Sequence, residues 1–480
     1  MTLSGRRLGA AGPSRSGRHA AENLRLLARP SRRAVLAGGL GAGVLLALPV
    51  TAAQAKPGSG SAAAGDPWYA FLYGTPESSP YPGGSFQAAP SPGAAASAVS
   101  APFQLASKLA ATPVVSPDQS TVALVTVVGA SVTLSLVGKT TAATSKQGTL
   151  TLAGVPADAS ILATPVFVPG TTTVALMLAV TIPATGGTLR KADPRTGNVA
   201  TATATTWTSH HVLAYFDSSS GAFTGPFDLA DEPALALTTV AANGSDVFVW
   251  TTPEPQAANY SKAHPASAPL STVRAYPLGS GQARFATPSL APWPGGEPVV
   301  ALANGDIARL VYGRDLQVCS AQTGDISTRT LAPLVPARPK PSAVTMQARS
   351  DGTLFITKPG IGTAIVVDPA NSFAVTSQVS FPVPLAPGSA PWSKAVLSSA
   401  GDTLYVLGSA SSGGVSAYDM GTGKLTASYV QGAQQYGGLS VLPNGDLLAV
   451  GPAHPRLTFF SPELSLLGTA DTSLQIAAVF

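Results

Sequence analysis

The 480-residue chain has a single cysteine, Cys319, and only 11% charged and 6% aromatic residues. One cysteine excludes a disulfide framework and a cysteine-built zinc site. Its surroundings, Gln317-Val318-Cys319-Ser320, alternate as a strand does, which is the setting of a buried structural thiol. No apolar run reaches the ~20 residues a membrane-spanning helix needs; the longest, Ala34 to Leu48, is interrupted by four glycines and ended by Pro49. There is no Gly-x-x-x-x-Gly-Lys-Ser/Thr phosphate loop and no His-Glu-x-x-His pair, and no Gly-x-Ser-x-Gly leads from a strand into a helix. Gly and Pro are plentiful instead, at 49 and 43 residues, which excludes a coiled coil or a helix bundle. A hydrophobic content of 45% argues against wholesale disorder.

The net charge of +5 is misleading as a whole-chain figure. Residues 1–55 hold eight arginines and one acid, and the other 425 hold twenty basic against twenty-two acidic side chains. The basic character therefore belongs to the leader, and no nucleic-acid partner is expected. Arg29-Pro30-Ser31-Arg32-Arg33 precedes the short apolar run, and Ala53-Gln54-Ala55 places small residues where a signal peptidase reads them. The Ser-Arg-Arg sequence before a weakly hydrophobic, glycine-bearing core resembles a twin-arginine export signal. The resemblance implies export in folded form through the twin-arginine machinery, with Arg32 and Arg33 recognised and cleavage after Ala55. It implies a secreted or cell-envelope location and no stable membrane insertion once the leader is removed; an uncut leader would instead act as an anchor.

Residues 56–101 are rich in Pro, Gly, Ala and Ser, the composition of a flexible linker. The aromatic island 68–73, Trp-Tyr-Ala-Phe-Leu-Tyr, does not suit a solvated tether. It is expected either to dock on the folded domain or to serve as a partner-binding patch.

From about residue 112 the chain repeats. A short apolar strand, a turn of Gly, Asn or Asp and a second apolar strand recur, as at Asn304-Gly305-Asp306, Ser350-Asp351-Gly352 and Asn444-Gly445-Asp446. Each unit ends in another hairpin, most cleanly at Asp419-Met420-Gly421-Thr422-Gly423-Lys424. Seven units of four short strands fill 112–480, and half of the spacings between their first turns fall at the 40–50-residue period of a propeller blade. The pattern resembles the secreted bacterial seven-bladed β-propellers with YVTN-type or WD40-like repeats. The expected fold is thus all-β: a seven-bladed β-propeller of four-stranded antiparallel blades over 102–480, with a signal peptide (1–55) and linker (56–101) before it. The segments 102–109 and 473–480 each read as a strand outside the seven units. One is expected to complete a blade containing the other, the C-terminal strand being the favoured clasp.

The resemblance also implies that the loop between a blade's second and third strands shares a face with the connection to the next blade. Length variation collects there, in about Thr181 to Ser209 of unit two and Thr252 to Ser271 of unit three. The first of these contains its own hairpin signature, Asp193-Pro194-Arg195-Thr196-Gly197-Asn198. His210, His211, His264 and His454 fall in or beside these loops, with Arg314, Lys358 and Arg456 among their cations. Histidine serves proton transfer and metal binding alike. However, neighbours along a strand point to opposite faces, so at most one of His210 and His211 can face the loops, which tells against a dinuclear metal site. The candidate ligand-binding set is His210, His211, His264, Arg314, His454 and Arg456, forming a cationic mouth suited to an anionic ligand. No catalytic residue, metal or cofactor is assigned. The pyrroloquinoline quinone propellers share the Asp-x-x-Thr-Gly-Lys turn but follow it with a tryptophan, where this chain has Thr426 to Tyr429. The expected role is a monomeric, non-catalytic binding or interaction module for an extracellular ligand or protein. The alternative is a secreted hydrolase or lyase acting on a lactone or acidic saccharide, with His210, His264 or His454 as base.

Overall fold

A computed structural model describes residues 111–471 apart from 112, 119, 140–142, 158, 193–198, 230–235, 254–270, 290–297, 312, 336–343, 350, 383–394, 408–413, 431–435, 437, 443, 451–455 and the side chains of 183–192, 199–209, 236–238, 252–253, 289, 456 and 470–471, together with the backbone of 69–73, 85–88, 103–104 and 475–479. The leader residues Arg32, Arg33, Ala53 and Ala55 lie outside this set.

Seven successive four-stranded antiparallel sheets cover Val114 to Asp471, each built from four strands in chain order. The first, for example, joins Val114–Val115, Thr121–Val128, Ser131–Gly138 and Thr144–Thr151. These are the seven units of the sequence pattern. Among the described residues, helix is confined to two 3-10 turns, Ala332–Leu334 and Pro359–Ile361.

Radial stacking follows from burial. The middle strands of the fourth and fifth sheets are buried along their whole length, as in Ile307–Val311 and Leu354–Lys358, whereas the last strand of a sheet is largely exposed, as in Ile326–Thr330. A strand buried on both faces needs a neighbour on each side. Leu354 and Ile356 pack against Leu310 and Leu316 of the fourth sheet, while Phe355 between them packs against Leu404 and Val406 of the sixth. Six apolar clusters repeat this arrangement, each shared by two consecutive sheets from the first to the seventh. Burying a side chain such as Phe355 contributes about 1.5–3 kcal/mol. First strands touch the first strands of neighbouring sheets, as Ala236–Ala242 does with Ser160–Phe167 and with Val299–Ala301, which puts them at the centre of the ring. The architecture is a β-propeller.

An eighth four-stranded sheet joins the two extremes of the described chain. Its order is Phe103–Gln104, Ser85–Ala88, Tyr69–Tyr73, Gln475–Val479. Ala70 pairs with Val479 and Tyr73 with Gln475, so the C-terminal strand takes the edge that first strands occupy elsewhere. The clasp expected at 473–480 is present, and its partners lie further upstream than expected. Two of them, Tyr69–Tyr73 and Ser85–Ala88, come from the stretch read as linker, and the sheet adds a blade to the seven of 114–471. Backbone pairing seats the aromatic island in the fold.

Tight turns link the strands where the sequence places Asn, Asp and Gly. Gly305 has φ +86°, a conformation that suits a residue without Cβ, and its N–H donates to Leu302 O at 2.9 Å. Asp306 Oδ1 accepts from Ala321 N at 2.8 Å, tying the first turn of the fourth sheet to its last. The isolated turn carboxylates Asp306, Asp351 and Asp446 all accept hydrogen bonds within their own turns.

Candidate functional site at the loop face

Three hydrogen bonds define this face. Leu331 N, at the connection from the fourth sheet to the fifth, donates to Arg314 O at 2.8 Å, in the loop between that sheet's second and third strands. Lys358 Nζ, at the end of the fifth sheet's second strand, donates to Gly313 O and Leu334 O, both at 2.9 Å. Second-to-third loops and sheet-to-sheet connections therefore share a face, as the resemblance implied.

The largest departure from regularity on this face belongs to the second sheet. Its second and third strands, Thr173–Ala192 and Val199–Asp217, are 20 and 19 residues long, against at most eight for any other strand. Flanking strands stop early: Ser160 pairs opposite Thr181, and Asp228 opposite Val212. Beyond those points the two strands pair only with each other among the described residues, from Thr208 opposite Ile182 to Val199 opposite Ala192. The loop expected at Thr181 to Ser209 is thus a two-stranded ribbon. Its portion from Ile182 to Ala192 rises about 35 Å at the usual strand spacing. A register shift between Ala204 and Thr206 marks a bulge, which adds local twist.

The candidate residues separate on inspection. His211 is 1% exposed and paired with Ala179 inside the second sheet, so it faces packed neighbours; His210 beside it is half-buried. Arg314 belongs to the fourth sheet and is partly exposed, with Nε 3.3 Å from Asp315 Oδ2. Thr330 Oγ1 donates to the other oxygen of Asp315 at 2.6 Å, so this carboxylate offsets the arginine locally. Arg456 pairs through its backbone with Asp471 in the seventh sheet. His264 and His454 lie outside the described residues. The expected cationic mouth loses Lys358, which is 2% exposed and directs its ammonium at two carbonyls. Among the described residues, no group of three or more His, Cys, Asp or Glu could hold a metal ion.

Sequence reasoning missed a set of polar groups, most of them buried, that tie adjacent sheets. Arg309, 1% exposed, donates from Nη1 to Ser271 Oγ at 3.3 Å and lies 5.9 Å from the Trp250 ring centre, across the boundary of the third and fourth sheets. On the opposite face, Tyr215 Oη donates to Pro277 O and Ser280 O, and Tyr405 Oη to Pro462 O. Burial pushes the Tyr405 phenol up to about 12. Arg284 spans Asp246, Ala321 O and Gln322 O. Nothing local in the sequence distinguishes these residues from ordinary surface polar groups, since their partners lie far along the chain, most of them in a neighbouring sheet.

No protein-family model matches the chain, and no curated protein sequence does. Among solved structures, the chain is similar to Sqt1 of Saccharomyces cerevisiae, with 10% identity and a TM-score of 0.43 over 75% of this chain and 84% of that one. The Dos1 propeller gives 11% and 0.40 over 70% and 73%. Virginiamycin B lyase from Staphylococcus aureus gives 14% and 0.31 over 49% and 68%. At these values the fold assignment rests on the sheets and their packing.

Proposed function

We propose that this protein is an exported, envelope-associated or secreted binding module that engages its partner through the loop face, with the second-sheet ribbon as the principal contact. The carrying observation is that ribbon, a pair of strands that extends beyond its own sheet and leaves both long edges open among the described residues. Unpaired strand edges are templates for main-chain recognition. The sequence at its far end holds Arg190, Lys191 and Arg195 against Asp193, which favours an anionic partner. Export rests on the Ser31-Arg32-Arg33 signal and Ala53-Gln54-Ala55. Cleavage after Ala55 leaves Lys56 to Trp68 ahead of the first strand of the closing sheet, so processing is compatible with a sealed ring. The intact mass of the exported protein checks this, with Lys56 as the expected first residue.

Replacing residues 183–207 by Asn-Gly joins Ile182 to Thr208, which already face each other in register, through a two-residue hairpin turn. This variant should melt within a few degrees of the parent and lose salt-sensitive binding to polygalacturonate, used as an anionic probe. It should also lose its chemical crosslinks to envelope proteins. A ribbon-free variant that keeps both sets of contacts would overturn the reading.

A further inference from the structure

The last strand of each sheet in a propeller is an open edge, and natural proteins guard such edges with charge, proline or bulges. Most outer strands here follow that rule. Thr144–Thr151 carries Lys146, Phe223–Asp228 carries Pro226 and Asp228, Phe285–Ser289 carries Pro288, Ile326–Thr330 carries Arg329, and Leu466–Asp471 ends in Asp471. Ala374–Ser380 of the fifth sheet has seven residues with no charge, proline or glycine, and its one irregularity is a bulge at Thr376, between Val375 opposite Val367 and Ser377 opposite Val366. Leu425–Val430 of the sixth is also uncharged and shorter.

The fifth-sheet edge borders a cleft. A cavity of about 420 Å³ opens between residues 329–333 of the fourth sheet and residues 373 and 375–378 of the fifth. That is within the ~300–1,000 Å³ range of small-ligand sites. Phe373 and Val375 give it apolar wall, and Val375 is 38% exposed. The one charge in its lining is Arg329, whose Nη1 donates to Ser372 O across the lip. A guanidinium has five N–H donors in a planar fork, so this bond fixes Arg329 at the cleft and leaves donors over.

We infer that the cleft between the fourth and fifth outer strands binds an extended acidic peptide of a partner protein. The peptide adds as a fifth strand to Ala374–Ser380 and sets one carboxylate on Arg329. Main-chain bonds along the uncharged edge on either side of the Thr376 bulge supply affinity, and the lone cation in an otherwise neutral lining supplies selectivity. A second copy of this chain is the weaker occupant, because its own edge at 374–380 has no acid to meet Arg329. The cleft is independent of the second-sheet ribbon.

The test is selection of displayed heptapeptides with one fixed aspartate on the full-length protein, with Arg329→Gln as counter-target. The glutamine amide retains a donor for Ser372 O. Selected peptides, measured by fluorescence anisotropy, should bind the parent and the ribbon-free variant alike. They should weaken at least tenfold on Arg329→Gln or on Asp→Asn in the peptide, and lose binding when alternate peptide nitrogens are methylated. Absence of enrichment over the counter-target overturns the inference, as does binding indifferent to N-methylation. A Val375→Asp change that only dissolves a homodimer also overturns it.

Discussion

Lys358→Met tests whether buried side-chain donors hold neighbouring sheets in register. In the parent, Nζ makes two 2.9 Å bonds, to Gly313 O and Leu334 O, from a residue 2% exposed. Bonds from a charged donor contribute roughly 1.5–3 kcal/mol each. Against that, the buried ammonium carries a desolvation cost of several kcal/mol, which methionine avoids. What remains is two carbonyls stripped of a partner, at about 1–3 kcal/mol each. A net loss of about 2–6 kcal/mol follows. For a fold of roughly 370 residues, the usual unfolding entropy turns that into a drop of about 3–8 °C in Tm. Gly313→Ala approaches the same contact from the other side. Gly313 has φ +59°, and an added Cβ would lie 2.9 Å from Val344 Cγ2 and 3.2 Å from Lys358 Nζ. Left-handed strain alone costs roughly 1–2 kcal/mol. Because both changes loosen one contact, the double variant should lose less than the sum of the singles. Calorimetry gives the midpoints, and hydrogen exchange should rise locally over residues 313–316 and 331–335. A Lys358→Met protein melting within a degree of the parent, with unchanged exchange there, would refute the assignment.

Tyr215→Phe removes the hydroxyl that reaches Pro277 O and Ser280 O; about 1–2 kcal/mol of stability should go, read as a lower denaturant midpoint at constant m. Burial pushes the Cys319 thiol up to about 12, so 5,5′-dithiobis(2-nitrobenzoic acid) at pH 8 should label it only as the protein unfolds, and label it promptly in denaturant. The turn carboxylates Asp118, Asp217 and Asp419 sit below the usual aspartate range, held there chiefly by the Ser116 hydroxyl, the Ser219 N–H and the Thr422 hydroxyl respectively. A depressed folded pKa adds stability above the unfolded value near ~3.9 that disappears as pH falls through the folded one. Tm should therefore hold level from pH 7 to 5 as far as these groups are concerned and fall below about pH 4, with a shallower fall in Asp217→Ala.

The repeating part of the ring was legible because its information is local. Asn304-Gly305-Asp306 and Asn444-Gly445-Asp446 mark turns by their own backbone preferences, and the apolar runs after them become buried second strands. The closing sheet was only partly legible. Its strands at Tyr69–Tyr73 and Ser85–Ala88 are embedded in Pro/Gly/Ala/Ser-rich sequence, and their C-terminal partner lies about 400 residues away, a pairing no local pattern encodes. Of the ribbon only the hairpin signature Asp193 to Asn198 was legible, because its Thr/Ala-rich strands lack the apolar alternation that reveals a half-buried strand. Lys358 read as a loop cation because its burial depends on two carbonyls contributed by the fourth sheet and its exit connection.

The closing sheet also sets how the molecule responds to tension. Ala70 lies opposite Val479, so the strands Tyr69–Tyr73 and Gln475–Val479 present their outward-leading ends side by side. A pull applied through both ends of the polypeptide would peel this pair apart one rung at a time, without shearing all its rungs together. The propeller would yield first at that joint, at low force, while its remaining blades stayed folded.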